Sequence, residues 1–429
     1  MYLNKEVSLN LNVRGLGQSA TIAINEKSKA LQAAGKVVYR LGLGQSPFPV
    51  PEPVVKALRH NAHQKDYLPA AGLQELRQAV ARYHQKIDNI EFNPNNIIIG
   101  PGSKELMFIL QLVYYGELIV PTPCWVSYVP QAKIIGKTVS LIHTKPEDKW
   151  RLTPELFDRH CHDQKDDFRP RILVLNYPGN PEGCSYNSDE LADLAEVARK
   201  YKVILLSDEI YGQLHHEGAH TSVAKHYPEG TIISSGLSKW CGAGGWRLGT
   251  FAFPESLNWL MDKMTSIASE TYTSVCAPIQ YAAVRAFGNG MELENYLWHA
   301  RRILKLLGKQ CADKLNHAGV QTPDPVGAFY LFINFEQHRE SLKKKNILDS
   351  PTLCERLLEE TGVAMLPGEA FSRSPEELTA RIAYVDFNGA KALSESEAIA
   401  KDQPLPDDFT SKHCANVIEA VERICEWVK

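Results

Sequence analysis

Short apolar runs alternate along this chain with longer segments that repeat apolar residues at helical spacing. The short runs are nearly all apolar and rich in β-branched residues, which is typical of buried strands; they cover residues 97–99, 172–175, 203–206 and 231–233. Residues 19–34 and 73–83 and a longer stretch at about 295–315 carry the periodicity of amphipathic helices. This alternation predicts an α/β fold with a doubly wound, mainly parallel sheet.

Composition narrows the class of protein and of partner. The chain has 429 residues, 44% of them apolar and 23% charged, which suits a globular protein with a large core. A net charge of −3 gives no electrostatic reason to expect nucleic acid or an anionic membrane as a partner. The first residues lack the apolar core of a signal peptide, and the nine cysteines are scattered without a CxxC pair. We therefore expect a cytoplasmic protein.

Candidate chemistry begins with a lysine between two apolar runs, in residues 231–254. Burial disfavours the ammonium form of Lys239 and favours the neutral, nucleophilic amine that a Schiff base requires. The residues around it are rich in glycine, which allows close approach of a bound group, and Arg247 offers a planar fork for a phosphate. A reactive lysine beside a phosphate clamp suggests pyridoxal phosphate.

Other polar or aromatic residues follow predicted strands at places suited to the same cofactor. Asp208 ends an apolar strand, where an ionised carboxylate needs a partner such as a protonated pyridine nitrogen. Trp125 follows another strand and could stack on a flat heteroaromatic ring in the ligand crevice. Gly102, Ser103 and Lys104 open a predicted helix, whose free amide N–H groups favour a phosphate.

Several motifs together resemble the class I/II aminotransferases, the family built on the aspartate-aminotransferase fold of pyridoxal-phosphate enzymes. The similar segments are YLPAAGLQELR from residue 67, GNPEG from 179, DEIY from 208, SGLSK from 235, GWRLG from 245 and GAFYLF from 327. Their order is kept from Gly44 to Arg381. The resemblance implies a large cofactor-binding domain at 46–300 and a smaller α+β domain formed by both termini, 1–45 plus 301–429.

The resemblance also implies roles for individual residues. Lys239 would form the Schiff base and carry the catalytic proton, while Asn180 and Tyr211 would hydrogen-bond the ring hydroxyl of the cofactor. The implied cofactor-binding residues from the same subunit are Gly102, Ser103, Lys104, Trp125, Asn180, Asp208, Tyr211, Ser238, Lys239 and Arg247. Gly44, Asn180 and Arg381 would bind the substrate, with Arg381 gripping its α-carboxylate as a bidentate partner. Tyr67 and Thr273 would reach the phosphate of a neighbouring subunit, which implies a homodimer with shared sites.

The chain departs from the family pattern at a few positions. Gly236 stands where many members have a phosphate-binding serine, so Ser235, Ser238 or backbone amides would replace it. Glu182 replaces a threonine of the family motif. The polar, Pro- and Asp-containing stretch 390–413 is predicted to be a surface loop.

A metal site is not expected. Residues 160–162 and 215–216 contain closely spaced histidines, but no second cluster supplies matching ligands.

The function predicted from these motifs is transfer of an amino group between an L-amino acid and a 2-oxo acid by a ping-pong mechanism. A lyase that breaks a C–S bond or forms a cyclopropane on the same cofactor is the main alternative. A non-catalytic regulatory module is a third, against which the retained Lys239 counts. The substrates stay open; nearby aromatic residues suit an apolar or aromatic side chain, and Lys104, Glu270 and Tyr272 are candidates to contact it.

Overall fold

The structure is a computed structural model that describes residues 8–163, 169–288 and 290–429. Helices and strands alternate along most of that length, as the apolar pattern predicts. The helices are α1 Ala20–Ala33, α2 Glu52–His60, α3 Gln74–Asp88, α4 Ser103–Val113, α5 Tyr128–Ile134, α6 Pro154–His162, α7 Ser188–Lys200, α8 Asn258–Glu270, α9 Ala277–Phe287, α10 Met291–His317, α11 Arg339–Lys344, α12 Ser350–Thr361, α13 Gly389–Glu397, α14 Phe409–His413 and α15 Ala415–Trp427.

The strands form a large sheet and two smaller groups. They are β1 Tyr39–Arg40, β2 Ile97–Gly100, β3 Glu117–Thr122, β4 Val139–His143, β5 Arg171–Asn176, β6 Ile204–Asp208, β7 Thr231–Gly236, β8 Gly249–Ala252, β9 Tyr330–Asn334, β10 Val363–Ala364, β11 Leu366–Pro367 and β12 Thr379–Ala383. The large sheet has the order β2-β8-β7-β6-β5-β3-β4. The pairs from β4 through β7 are parallel, and β8 is antiparallel to both of its neighbours.

Both faces of the large sheet are buried under helices. Along β5, Ile172 and Val174 pack with residues of α4 and α8, whereas Leu173 and Leu175 pack with residues of α6 and α7. Because successive side chains of a strand point to opposite faces, a run of apolar residues is what a strand covered on both sides needs. The α/β doubly wound, mainly parallel prediction is confirmed.

The order of the strands explains where ligand-binding residues collect. Strands β3, β5, β6 and β7 lie side by side, and a parallel arrangement brings their carboxyl ends to one edge. Trp125 follows β3, Asn180 follows β5, Asp208 ends β6 and Lys239 follows β7. In open α/β sheets, ligands bind in the crevice beyond this edge.

A smaller antiparallel sheet forms the wall of this crevice that lies opposite the large sheet. Its order is β11-β12-β9, so Arg381 lies on the central strand, paired in register with Leu366 and Phe332. Strand β1, near the amino terminus, pairs in parallel with β10, so residues from the two ends of the chain meet here. This meeting gives the smaller α+β unit formed by both termini. The boundaries 46–300 and 1–45 plus 301–429 remain a prediction.

The prediction of a surface loop at 390–413 was wrong. Helices α13 and α14 occupy most of that stretch. In α13 the buried positions Gly389, Ala392, Leu393 and Ser396 recur at helical spacing, but only one of them is a large apolar residue. Such a stripe of small residues allows close packing against α10, where Arg302 donates to the Ser396 hydroxyl. The same stripe gives almost no hydrophobic signal in the sequence.

Candidate active site

A cavity of about 620 Å³ opens at the carboxyl edge of the large sheet and extends to the smaller one. Most of the predicted site residues line it: Gly44, Ser103, Lys104, Trp125, Asn180, Asp208, Tyr211, Ser238, Lys239, Arg247 and Arg381. Their positions in the sequence span more than 330 residues, so the fold alone brings them together. Among the described residues, no group of three or more His, Cys, Asp or Glu side chains could hold a metal ion.

Lys239 lies in the loop after β7, with its amine on the cavity wall. Burial and the nearby positive charge of Arg381 lower the pKa of Lys239 to about 8. Its Nζ donates a hydrogen bond to the carbonyl oxygen of Gly44 over 2.9 Å and lies 5.5 Å from the centre of the Tyr211 ring. The amine is therefore held in place and is partly neutral near physiological pH.

Asp208 lies at the buried end of β6 and is held by two hydroxyl groups. Tyr128 donates to its Oδ2 over 2.6 Å, and Ser234 donates to its Oδ1 over 3.2 Å. Burial raises the pKa of Asp208 to about 6, and these hydrogen bonds oppose the rise. Sequence reasoning gave neither hydroxyl this role, although Tyr128 lies only three residues after Trp125.

Arg381 is fully buried on β12, beneath the cavity. One guanidinium nitrogen, Nη1, donates to Asn180 Oδ1 over 3.0 Å, and the guanidinium carbon lies 4.7 Å from the centre of the Tyr330 ring. Its Nε is buried without a hydrogen-bond partner. Since buried guanidinium groups normally pair with an acceptor, Arg381 is suited to bind a carboxylate that enters the cavity.

Two tyrosines connect the walls of the cavity. The hydroxyls of Tyr211 and Tyr330 are 2.7 Å apart, and Tyr330 also approaches the carbonyl oxygen of Gly44 at 3.5 Å. A Cβ at position 44 would lie 2.0 Å from the Tyr330 hydroxyl, so only glycine fits there. Tyr330 was quoted in the GAFYLF motif, but the sequence did not assign it to the site.

A cradle for an anion lies at the start of α4. Gly102 has φ +89°, and a Cβ there would lie 2.3 Å from Nη2 of Arg247. The Arg247 guanidinium is braced by the carbonyl oxygens of Gly244 and Pro101, and Ser103 and Lys104 line the same wall. A helix N-terminus with free N–H groups beside two cationic side chains is suited to a phosphate.

The structure separates the two serines that flank Gly236. Ser238 lines the cavity with Arg247, whereas Ser235 lines a different, smaller space inside the protein. Ser238 is thus the better placed of the two for an anion in the cradle.

Trp125 lines the cavity. Its ring packs edge to face on that of Tyr128, with the ring centres 5.3 Å apart. The Lys104 amine lies 5.1 Å from the centre of the Trp125 ring. Ser19 and Thr21, at the start of α1, also line the cavity, and nothing in their local sequence indicated it.

Tyr67 and Thr273 do not line the cavity of this chain. Tyr67 is 91% exposed, and Thr273 is exposed with φ +62°. A side chain this exposed makes few contacts within its own chain and is available to another molecule.

Comparisons with known proteins relate this chain to one family. Residues 36–388 match the family model described as aminotransferase class I and II. The chain belongs to this family. An aspartate aminotransferase of Bacillus subtilis (strain 168) is 32% identical over 388 residues, which cover 88% of this chain and 94% of that protein. An asparagine–oxo-acid transaminase of Streptococcus mutans is 30% identical over 393 residues, with coverage of 88% and 94%.

Solved structures of aminotransferases match nearly the whole chain. The aspartate aminotransferase from Thermus thermophilus with maleate superposes with a TM-score of 0.82 at 28% identity, covering 97% of this chain and 99% of that one. An aromatic aminotransferase from Pyrococcus horikoshii gives a TM-score of 0.76 at 27% identity, with coverage of 93% and 98%. This chain is accordingly an aminotransferase, and amino acids and 2-oxo acids are its class of substrates.

No helix within the described segments is both long enough and apolar enough to cross a membrane. The 27-residue helix α10 is amphipathic, with buried residues on one side.

Proposed function

We propose that the cavity binds pyridoxal 5′-phosphate, with its phosphate in the cradle formed by Ser103, Ser238 and Arg247. When bound, this group supplies an aldehyde for a lysine and a ring that accepts electrons from the substrate. The half-buried Lys239 amine is suited to the aldehyde, and the buried Asp208 carboxylate to a positively charged ring nitrogen. Trp125 offers a flat face for it.

Asp208 would hold a positively charged ring nitrogen. Its pKa of about 6 lets the carboxyl ionise at neutral pH, and Tyr128 and Ser234 stabilise the charged form. Burial raises the pKa of Tyr128 well above its usual value, so its phenol keeps the proton that it donates. Asp208 is therefore a fixed negative charge with one dominant orientation.

Lys239 would both bind the cofactor and move the proton of the reaction. A general base works best when its pKa lies near the working pH, and the pKa of about 8 meets this condition. Once its amine is free, Lys239 Nζ can accept a proton from the substrate α-carbon and return it to a neighbouring atom. The Gly44 carbonyl, which accepts from Nζ at 2.9 Å, would limit the directions in which the amine moves.

The substrates are proposed to be acidic amino acids and the corresponding 2-oxo dicarboxylic acids. Arg381 would bind the α-carboxylate, which leaves Lys104 as a further cationic side chain on the cavity wall. This proposal rests on the position of the Lys104 amine over the Trp125 ring. An ammonium at this position can bind the distal carboxylate of the substrate. It is supported by relatives named aspartate aminotransferases and by a solved neighbour whose ligand is maleate, a dicarboxylate.

Replacing Lys104 by methionine tests the choice of substrate. We expect kcat/KM for aspartate to fall about 10- to 100-fold, because a charged hydrogen bond contributes about 1.5–3 kcal/mol. The value for leucine or phenylalanine should stay the same or rise. Lys263→Met, an exposed lysine on α8, serves as the control. An equal loss for acidic and apolar substrates would mean that Lys104 holds the cofactor and not the distal carboxylate.

The enzyme is further proposed to be a cytoplasmic homodimer in which each site takes Tyr67 and Thr273 from the other subunit. Support comes from the exposure of both residues and from their absence from their own cavity.

A further inference from the structure

A second and much smaller cavity lies inside the protein, next to the strand ends that carry Asp208 and Lys239. The volume open to the centre of a water molecule is about 10 Å³, so a single water molecule can enter the cavity. Ser234 donates to Asp208, which lines the active-site cavity, whereas its neighbour Ser235 lines the small cavity. Because successive side chains of a strand point to opposite faces, the two cavities lie on opposite faces of β7. The lining of the small cavity includes His84, Asp88, Glu209, His220 and Trp240.

Two buried histidine–carboxylate pairs form part of the wall. His84 Nδ1 lies 3.0 Å from Asp88 Oδ2 on α3, and His220 Nε2 lies 2.9 Å from Glu209 Oε2. All four side chains are at most 6% exposed. An ionised carboxylate only accepts hydrogen bonds, so in each pair the histidine nitrogen donates.

Four polar atoms of the lining residues are buried without a hydrogen-bond partner. They are His84 Nε2, Asp88 Oδ1, His220 Nδ1 and Trp240 Nε1. Buried polar atoms in folded proteins are nearly always paired, either with protein or with ordered water. Since all four atoms belong to residues that line one small cavity, they indicate a bound molecule that pairs with at least the Trp240 indole and the Asp88 carboxylate.

The chemistry of these atoms identifies the class of molecule. The Trp240 indole can only donate, so the ligand must accept a hydrogen bond, which a metal cation cannot do. Asp88 Oδ1 can only accept while ionised, so the ligand must also donate, which a halide cannot do. Water is a molecule of the right size that does both.

We propose that this cavity holds an ordered water molecule that joins helix α3 to the loops following β6 and β7. Glu209 directly follows Asp208, and Trp240 directly follows Lys239. The water therefore links Asp88 and His84 directly to Trp240, which is next to Lys239, and through His220 to Glu209, which is next to Asp208. This inference does not depend on the cofactor or on the substrate proposed above.

The first test is a high-resolution crystal structure of the whole protein. We expect a density peak about 3 Å from both Trp240 Nε1 and Asp88 Oδ1. An empty cavity at a resolution that shows other buried waters would overturn the proposal.

A double-mutant cycle in solution provides the second test. Trp240→Phe removes the indole donor and Asp88→Asn alters the acceptor, and each variant on its own should lower the urea midpoint of unfolding. If both residues bind one water, the double variant should lose clearly less than the two single losses added together. Trp240→Phe combined with Asp262→Asn, an exposed residue on α8, should be additive. Additive losses in the Asp88 pair as well would contradict a shared water.

Discussion

The phenol of Tyr128 donates a 2.6 Å hydrogen bond to Asp208 Oδ2, and both side chains are buried. Tyr128 opens helix α5, 80 residues before Asp208 in the chain, yet it is the closest polar partner of the carboxylate that would face the cofactor ring. Ser234 completes the arrangement from the neighbouring strand β7. The charge of Asp208 thus depends on two hydroxyls that do not themselves need to touch a substrate.

Replacing Tyr128 by phenylalanine should weaken cofactor binding. Hydrogen bonds to a carboxylate lower its pKa, so loss of the phenol should raise the pKa of Asp208 above about 6 and reduce the ionised fraction at neutral pH. A loss of about 1.5–3 kcal/mol corresponds to a roughly 10- to 100-fold higher dissociation constant for pyridoxal phosphate, measured by fluorescence titration. Affinity should recover in part as the pH rises.

Two further variants serve as comparisons for Tyr128→Phe. Ser234→Ala, which removes the longer hydrogen bond, should have a smaller effect, and Tyr115→Phe, at a 90% exposed position, should have none. Unchanged affinity in Tyr128→Phe would show that Asp208 does not depend on the phenol.

The reactivity of Lys239 should follow a pH midpoint near 8 in the cofactor-free protein. Burial and the charge of Arg381 lower the pKa of Lys239, so removing that charge in Arg381→Met should move the midpoint upward. Acetylation rates of Lys239, followed by mass spectrometry between pH 6 and 11, report the midpoint directly. Arg356→Met, at a surface arginine of α12 whose side chain is 43% exposed, should leave the midpoint in place. A midpoint near the usual value of about 10.4 would show that the amine is not desolvated.

Asp208 should make the cofactor-free protein less stable as the pH rises. Its folded pKa of about 6 lies above the usual 3.8, so its contribution is fully present below pH 4 and is lost as the pH rises to about 6. The loss amounts to at most about 3 kcal/mol in the free energy of unfolding. Urea unfolding of Asp208→Asn compared with the unmodified protein, at steps from pH 4 to 7, isolates this contribution. If the free energies of unfolding of the two proteins change with pH in parallel, Asp208 makes no such contribution.

Arg381→Lys should impair substrate binding although it keeps the positive charge. A lysine cannot form the planar, two-point contact with a carboxylate, and its amine would lose the stacking on Tyr330. We expect KM for the amino acid to rise about 10- to 100-fold with a smaller change in cofactor affinity. Arg356→Lys is the matched surface control. Equal losses of cofactor and substrate affinity would place Arg381 at the cofactor.

Mixing two impaired variants tests the shared sites. Lys239→Ala should lower turnover at least about 10³-fold, since it removes the general base, and Tyr67→Ala should weaken the site of the other subunit. After unfolding and refolding together, a hybrid dimer would contain one site with both residues intact. Turnover of the mixture well above that of either variant alone is the expected result. No recovery, with dimers present by light scattering, would place Tyr67 outside the site.

The sequence by itself determined the type of fold and most of the chemistry. Buried strands of a doubly wound sheet must be apolar on both faces, so apolar runs such as the one before Asp208 stand out in the sequence. The spacing of lysine, arginine and glycine around Lys239 is local along the chain, so it can be recognised without the structure. Motif order then carried Asn180 and Arg381, which are 201 residues apart, into one predicted site before any contact was known.

Tertiary structure alone decided which side chains meet across the site. The hydroxyls of Tyr128 and Tyr330 contact Asp208 and Tyr211 only because strands distant in sequence become neighbours, and a single tyrosine carries no periodic signal. Helix α13, within 390–413, escaped detection because its buried face consists largely of small residues, which give little hydrophobic contrast. The inner water site is of the same kind. Its four unpaired atoms come from three separate segments, and only packing shows that their residues line one cavity.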